Sequence, residues 1–250
     1  DKITKDTYQE VYNLKTKKVL VDSVAQLQTK IDAMPENVTG QTYTLTASAN
    51  ALTGTDKGDV FNAGEEFTAA GTKDTFTAVD TLDGGAGLDT LNVLSDNTIS
   101  VVGATVKNIE TINLESGKDI TFNTTTYTGV QTLNVRKATD DVDLTASATT
   151  DVNVSGVNDS AAAVNTAVTG GKTVTINQSV KDAASTIKVD KAVNVDVTLT
   201  DLSHATSVIN VLDIGSTNAV TGTVDVTVSG AKIVGGASAV TLLNDIEVNG

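Results

Sequence analysis

The apolar positions of this chain fall into short alternating runs rather than helical stripes. From residue 91 onward, triplets of the form apolar-Asn-apolar recur: Leu91-Asn92-Val93, Ile112-Asn113-Leu114, Leu133-Asn134-Val135 and Val152-Asn153-Val154. Their asparagines are spaced 21, 21 and 19 residues apart. The rhythm continues less evenly through Val174-Thr175-Ile176-Asn177, Val193-Asn194-Val195, Ile209-Asn210-Val211, Val224-Asp225-Val226-Thr227-Val228 and Val240-Thr241-Leu242-Leu243. Period-two segments rich in β-branched residues, bounded by Gly, Asp, Asn, Ser or Thr, read as strands. One strong strand in every ~20 residues predicts a parallel solenoid, each coil stacked about 4.8 Å from the last. The apolar pair of each triplet then points inward, and the Asn and Thr between them form outward ladders of amide hydrogen bonds. Ser116-Gly117, Thr128-Gly129, Gly170-Gly171 and Ser229-Gly230 supply corners. An antiparallel sandwich is the competing architecture, but hairpin signals are few.

Residues 1–36 follow a different period. Tyr8, Val11 and Tyr12 share one helical face, and Val24, Leu27, Ile31 and Met34 form an apolar stripe. Ser23 with Gln26 makes a capping-box pattern, and Pro35 ends the helix. The expected organisation is therefore mainly β with three parts. Residues 1–36 are a short α-helical segment closing an N-terminal domain. Residues 37–100 are a glycine-looped β-roll-like segment, and residues 101–250 are the solenoid proper. The rhythm is still running at Gly250, so the chain is expected to be a fragment of something longer.

Gly84 to Asn92 fits the nine-residue pattern G-G-x-G-x-D-x-U-x at every fixed position. That pattern builds calcium-binding parallel β-rolls. Its glycines let the backbone turn through positive φ and aim carbonyl oxygens inward. Asp89 supplies a carboxylate to a hard cation that prefers oxygen ligands, and Leu91 enters the core. A degenerate copy, Leu52 to Ala63, precedes it by about 30 residues, with Gly54, Asp56, Asp59 and a strand entry at Phe61. Two such units allow ligands to converge. Asp80 and Asp83 bracket Leu82 and are expected on one strand face opposite the core, adding carboxylates to the same ion.

Composition sharpens this picture. The net charge is −14, with 24 Asp against 7 Glu. This argues against nucleic-acid binding, which needs a basic face, and suits contact with divalent cations. The absence of cysteine excludes disulfides and thiolate metal sites. No stretch approaches the ~20 apolar residues of a membrane span. The one histidine, His204, beside Ser203, has no nucleophile-elbow glycines, and zinc would need several His or Cys. Asp140-Asp141-Val142-Asp143 is the densest acidic cluster. A polysaccharide-active β-helix enzyme would draw its acid and base there. Yet no aromatic residue follows Tyr127 to form a sugar platform, and Arg136 is the sole arginine. The expectation is of no enzyme.

The segment from Tyr43 to Val135 resembles bacterial surface-layer proteins of the Caulobacter and Campylobacter type, within the wider repeats-in-toxin group. The residues that carry it are Leu52 to Thr55 through Asp59 to Ala63, Asp74 to Ala78, Leu82 to Val93 and Ile109 to Leu114. The resemblance implies a secreted structural protein, exported by type I secretion, that self-assembles into a two-dimensional lattice on the bacterial cell surface. It implies calcium as the ion that drives folding and lattice formation. It also implies an N-terminal domain, largely absent here, that holds lipopolysaccharide. Carried over by motif, the metal candidates are Asp89 with the carbonyls of Gly84 and Gly87, and Asp59 with Gly54 and Thr55; Asp56, Asp80 and Asp83 complete the set. The sequence departs from the family pattern at Lys57, Gly58 and Leu88. A repeats-in-toxin adhesin or binding protein is the alternative reading.

Overall fold

The computed structural model describes residues 39–69, 71–157, 164–180, 185–201, 211–229 and 241–242. The chain divides into Asp1–Val38 and Thr39–Gly250, and every described residue belongs to the second unit. The helices expected over 1–36, together with His204 and Asn210, lie outside the described residues.

The second unit is a parallel β-solenoid. Its long face is a nine-stranded sheet: Thr39–Thr44, Gly58–Ala63, Thr90–Ser95, Thr111–Ser116, Thr132–Lys137, Asp151–Val154, Thr173–Val180, Asn194–Asp201 and Val224–Ser229. Every neighbouring pair in it runs parallel, which excludes the antiparallel sandwich. A seven-stranded sheet, from Ile99–Ser100 to Thr241–Leu242, forms a second face. A short sheet of Ala51–Thr53, Thr81–Asp83 and Thr105–Lys107 forms a third face of the early coils. The long sheet runs unbroken past residue 100, so the glycine-looped coils and the later coils share one core.

Stacking in register places like residue on like. Phe61, Leu91, Ile112, Leu133, Val152 and Val174 make one buried column, and Ala63, Val93, Leu114, Val135, Val154 and Ile176 the next. The apolar pair of each triplet therefore points inward as expected. Thr90, Thr111 and Thr132 pair at 21-residue intervals, whereas Val60 pairs with Thr90. That longer first coil carries an antiparallel hairpin, Glu65–Thr68 with Gly71–Asp74, whose Phe67 is 89% exposed.

The asparagine ladder exists and starts one coil earlier than the triplets suggest. Asn92, Asn113, Asn134 and Asn153 each donate Nδ2 to the Oδ1 of the asparagine below, from Asn62 upward, at 2.9, 2.8, 2.9 and 2.9 Å. The asparagines lie on the face opposite the apolar pairs, as expected, and Asn113 is nonetheless buried within the stack of amides. Above Asn153 the column passes to Thr175, Asp196 and Asp225. Asn177 pairs with Thr198 instead, and Asn194 sits opposite Thr173, where its Oδ1 takes the Thr223 N–H.

Leu133→Ala is expected to cost about 2–5 kcal/mol, because the fully buried column cannot collapse around the gap. Asn113→Ala removes two ladder bonds and should cost about 1–3 kcal/mol. Thr121→Ala, on the exposed side of the second sheet, should stay within about 0.5 kcal/mol when all three variants are compared by urea titration.

Candidate metal centre

The two glycine loops stack directly on each other. Thr53 pairs with Asp83 before them and Val60 with Thr90 after them. Gly54 N–H donates to Asp83 O at 2.7 Å, and Ala86 N–H donates to Thr55 O at 3.0 Å. Gly87, at φ +125°, lies so close to Lys57 that an added Cβ would fall 2.5 Å from its carbonyl carbon. Only glycine meets both demands, left-handed backbone and close approach. The degenerate copy is thus the structural equivalent of the nine-residue motif, one coil below it.

At the far end of each loop an acidic residue enters the long sheet. Asp59 and Asp89 are both buried, and Glu110 occupies the same column one coil higher. These three carboxylates form a vertical chain. Gln41 N–H donates to Asp59 Oδ1, Asp59 N–H to Asp89 Oδ1 at 2.6 Å, and Asp89 N–H to Glu110 Oε2 at 2.7 Å. Each carboxylate thereby holds the backbone of the coil beneath it. The column then continues as uncharged Gln131 and Thr150.

Burial pushes the Asp89 carboxyl up from 3.8 to about 6. The N–H of Asp59 opposes that shift, while the like charges of Glu110, Asp59 and Asp83 add to it. Asp89 Oδ2 is buried and accepts no hydrogen bond. An unpaired buried carboxylate oxygen is costly, and a divalent cation is one way to offset it. Asp89 Oδ2 and the carbonyl oxygen of Asn108 face the same side of Gly84, with Oδ2 at 2.5 Å from where a Cβ would stand. This all-oxygen surrounding fits a hard cation. Among the described residues no three acidic or histidine side chains gather as a metal-ligating group, so carbonyl oxygens would have to complete the shell.

The other expected ligands are placed as follows. Asp83 is half-buried, near enough to Asp89 to repel it, and accepts Gly85 N–H at 3.1 Å and Asn108 Nδ2–H at 2.8 Å. Asp80 stands apart. It is buried rather than on an open strand face, takes Thr77 N–H at 2.6 Å and Asn50 N–H at 2.7 Å, and closes the 77–80 turn. Three residues apart, Asp80 and Asp83 fall on opposite sides of an alternating chain, and Asp80 is buried as Leu82 is, so the two carboxylates do not share a face. Asp56 is exposed at the loop tip. Glu110 was not among the expected ligands. The signal for it is present nonetheless: Asp59, Asp89 and Glu110 each stand three residues before a ladder asparagine, Asn62, Asn92 and Asn113.

No family model and no curated protein matches this chain.

In chelator, Asp89 sets a sign for the pH dependence. Its folded pKa is raised, so its contribution to stability is fully present below about 3.8 and is lost as pH rises through about 6. Asp190 acts oppositely at lower pH. Burial works to raise it, but the N–H groups of Thr217 and Asn218 and the Lys188 ammonium outweigh that and hold it below the ordinary range. Cation-free protein should therefore lose stability between pH 5 and 7 in urea titrations, on the order of 1 kcal/mol or more. Asp89→Asn should remove that slope.

Proposed function

We propose that this chain is a structural tile of a calcium-ordered layer outside a bacterial cell, a surface-layer protein of the repeats-in-toxin kind. The observation that carries the reading is the buried Asp89 oxygen without a donor, at the loop whose sequence fits a calcium-binding nonapeptide. The long unbroken stack supports it as well. Sixteen strands in two parallel sheets give a rigid spacer, and stiffness is what a lattice component requires.

The mechanism proposed is cation-gated order. When bound, calcium would supply positive charge and an oxygen-seeking coordination shell at Asp89. The chain's own residues do the rest. Asp89 Oδ1 holds the Asp59 backbone, Asp83 fixes the Gly85 turn, and Gly87 lets the upper loop settle on the lower one. Without the cation, Asp59, Asp83 and Glu110 repel Asp89 across three adjoining coils, and binding free energy becomes folding free energy. Secretion by the type I route, attachment to lipopolysaccharide through a separate N-terminal domain, and the absence of catalysis belong to the same proposal. Among the described residues no helix is long and apolar enough to cross a membrane. Asp140, Asp141 and Asp143 are exposed, and Asp141 is engaged with Asn165 N–H at 2.8 Å.

An adhesin is the second reading. It is favoured by exposed apolar side chains on the early coils, Phe67 at 89%, Val102 at 81% and Val79 at 66%.

Calcium at about 100 times its dissociation constant should stabilise the chain by about 2.7 kcal/mol over chelator, read as a rise in Tm. Asp89→Ala should abolish that rise, and Asp143→Ala, on an exposed strand position, should keep it. Electron microscopy of the calcium-loaded protein should show ordered sheets. Monomers that bind a glycan array instead would favour the adhesin, and identical Tm with and without calcium would defeat the cation-gated account.

A further inference from the structure

We propose that the two stacked glycine loops take one divalent cation rather than two, and that Asp83 is the residue that makes the difference. This rests on the calcium-ordered reading above and specifies which of its candidate ligands are used.

The two loops share one geometry. In the lower loop, Asp59 Oδ2 and the carbonyl oxygen of Gly84 face Gly54; in the upper loop, Asp89 Oδ2 and the carbonyl oxygen of Asn108 face Gly84. What differs is the supply of donors. Asp59 Oδ2 takes Thr55 N–H at 2.5 Å and the Thr55 hydroxyl at 3.0 Å, while its Oδ1 takes Gln41 N–H. Both oxygens of Asp59 are satisfied by the protein, and the lower loop is closed without help. Asp89 Oδ1 takes Asp59 N–H, but Oδ2 takes nothing and is buried.

The donor equivalent to Thr55 N–H is Gly85 N–H, and it points elsewhere, to Asp83 Oδ1. Asp83 stands in register with Thr53, which has no carboxylate to compete for the N–H two residues on. Asp and Asn side chains readily accept from the backbone two residues ahead. Gly85 also lacks the hydroxyl that Thr55 contributes. Two changes between coils, Thr53 to Asp83 and Thr55 to Gly85, thus convert a self-satisfied loop into one with an open acceptor beside a second carboxylate. A hard divalent cation is the chemical complement of that open acceptor. Asp83 acts as a positioning residue: it withholds a proton donor from Asp89 and leaves Oδ2 available.

The test is calorimetric titration of the full chain with calcium, alongside melting in calcium and in chelator. The wild type should bind one ion at this site. Asp59→Asn should retain it and Asp89→Asn should lose it. Asp83→Thr frees Gly85 N–H for Asp89, and affinity should fall by about 10- to 100-fold. Asp83→Asn keeps the acceptor for Gly85 N–H without its charge and should stay much closer to wild type. Two ions lost one at a time with Asp59→Asn and Asp89→Asn would overturn the proposal, as would Asp83→Asn binding as weakly as Asp83→Thr. The wild-type count needs no variant and decides even where a substitution unfolds the loops. No calcium binding by the wild type would instead defeat the reading on which this one rests.

Discussion

In-register parallel stacking governs this molecule. Each coil sets its residues directly over the equivalent residues of the coil below, about 4.8 Å away. Whatever a position carries is therefore repeated against itself. For Leu91, Ile112 and Leu133 that repetition makes a close-packed column. For Asn62 through Asn153 it makes a ladder in which the inner amides, Asn92, Asn113 and Asn134, are each both donor and acceptor. Neither needs a large aromatic interior or a disulfide, and the chain has little of the first and none of the second.

The same rule is unfavourable for carboxylates. Asp59, Asp89 and Glu110 stack in one column, which places like charges in a partly dry environment. Backbone N–H groups relieve part of the strain, because each side chain accepts from the coil beneath. Asp59 has donors at both oxygens, from Thr55 of its own loop and from Gln41 beneath. Asp89 does not, and its raised pKa and bare Oδ2 report the same deficit in two ways. Above Glu110 the column turns to Gln131 and Thr150, so the repulsion is confined to three adjoining coils. The cation dependence proposed above would thus be concentrated at Asp89.

Much of this was legible in the sequence, because a repeat that stacks in register writes the same residue type at each period. The triplets revealed the solenoid, the inward apolar pairs and the ladder from Asn92 to Asn153. The nonapeptide and its degenerate copy revealed two loops that do meet. Legibility failed where coil length or local chemistry changed. Between Val152 and Val174 the ladder position passes to Thr175, so Asn177 and Asn194, though in similar triplets, sit at other registers. Asp80 sits outside its strand and serves a turn. Glu110 was missed because it lies in no glycine motif; only counting back three residues from each ladder asparagine exposes the acidic column. The diversion of Gly85 N–H has only a local signature, an Asp two residues before a glycine, and which of two nearby carboxylates the N–H faces is settled by the fold.

The most direct test of the account is residue-resolved amide hydrogen exchange with calcium and with chelator. If cation dependence is localised at the stacked loops, chelation should first deprotect amides within 54–59 and 84–89, leaving those of Leu133, Val152 and Val174 protected by the self-sufficient stack. Uniform loss of protection along the solenoid, or protection at Asp59 and Asp89 that ignores calcium, would contradict it.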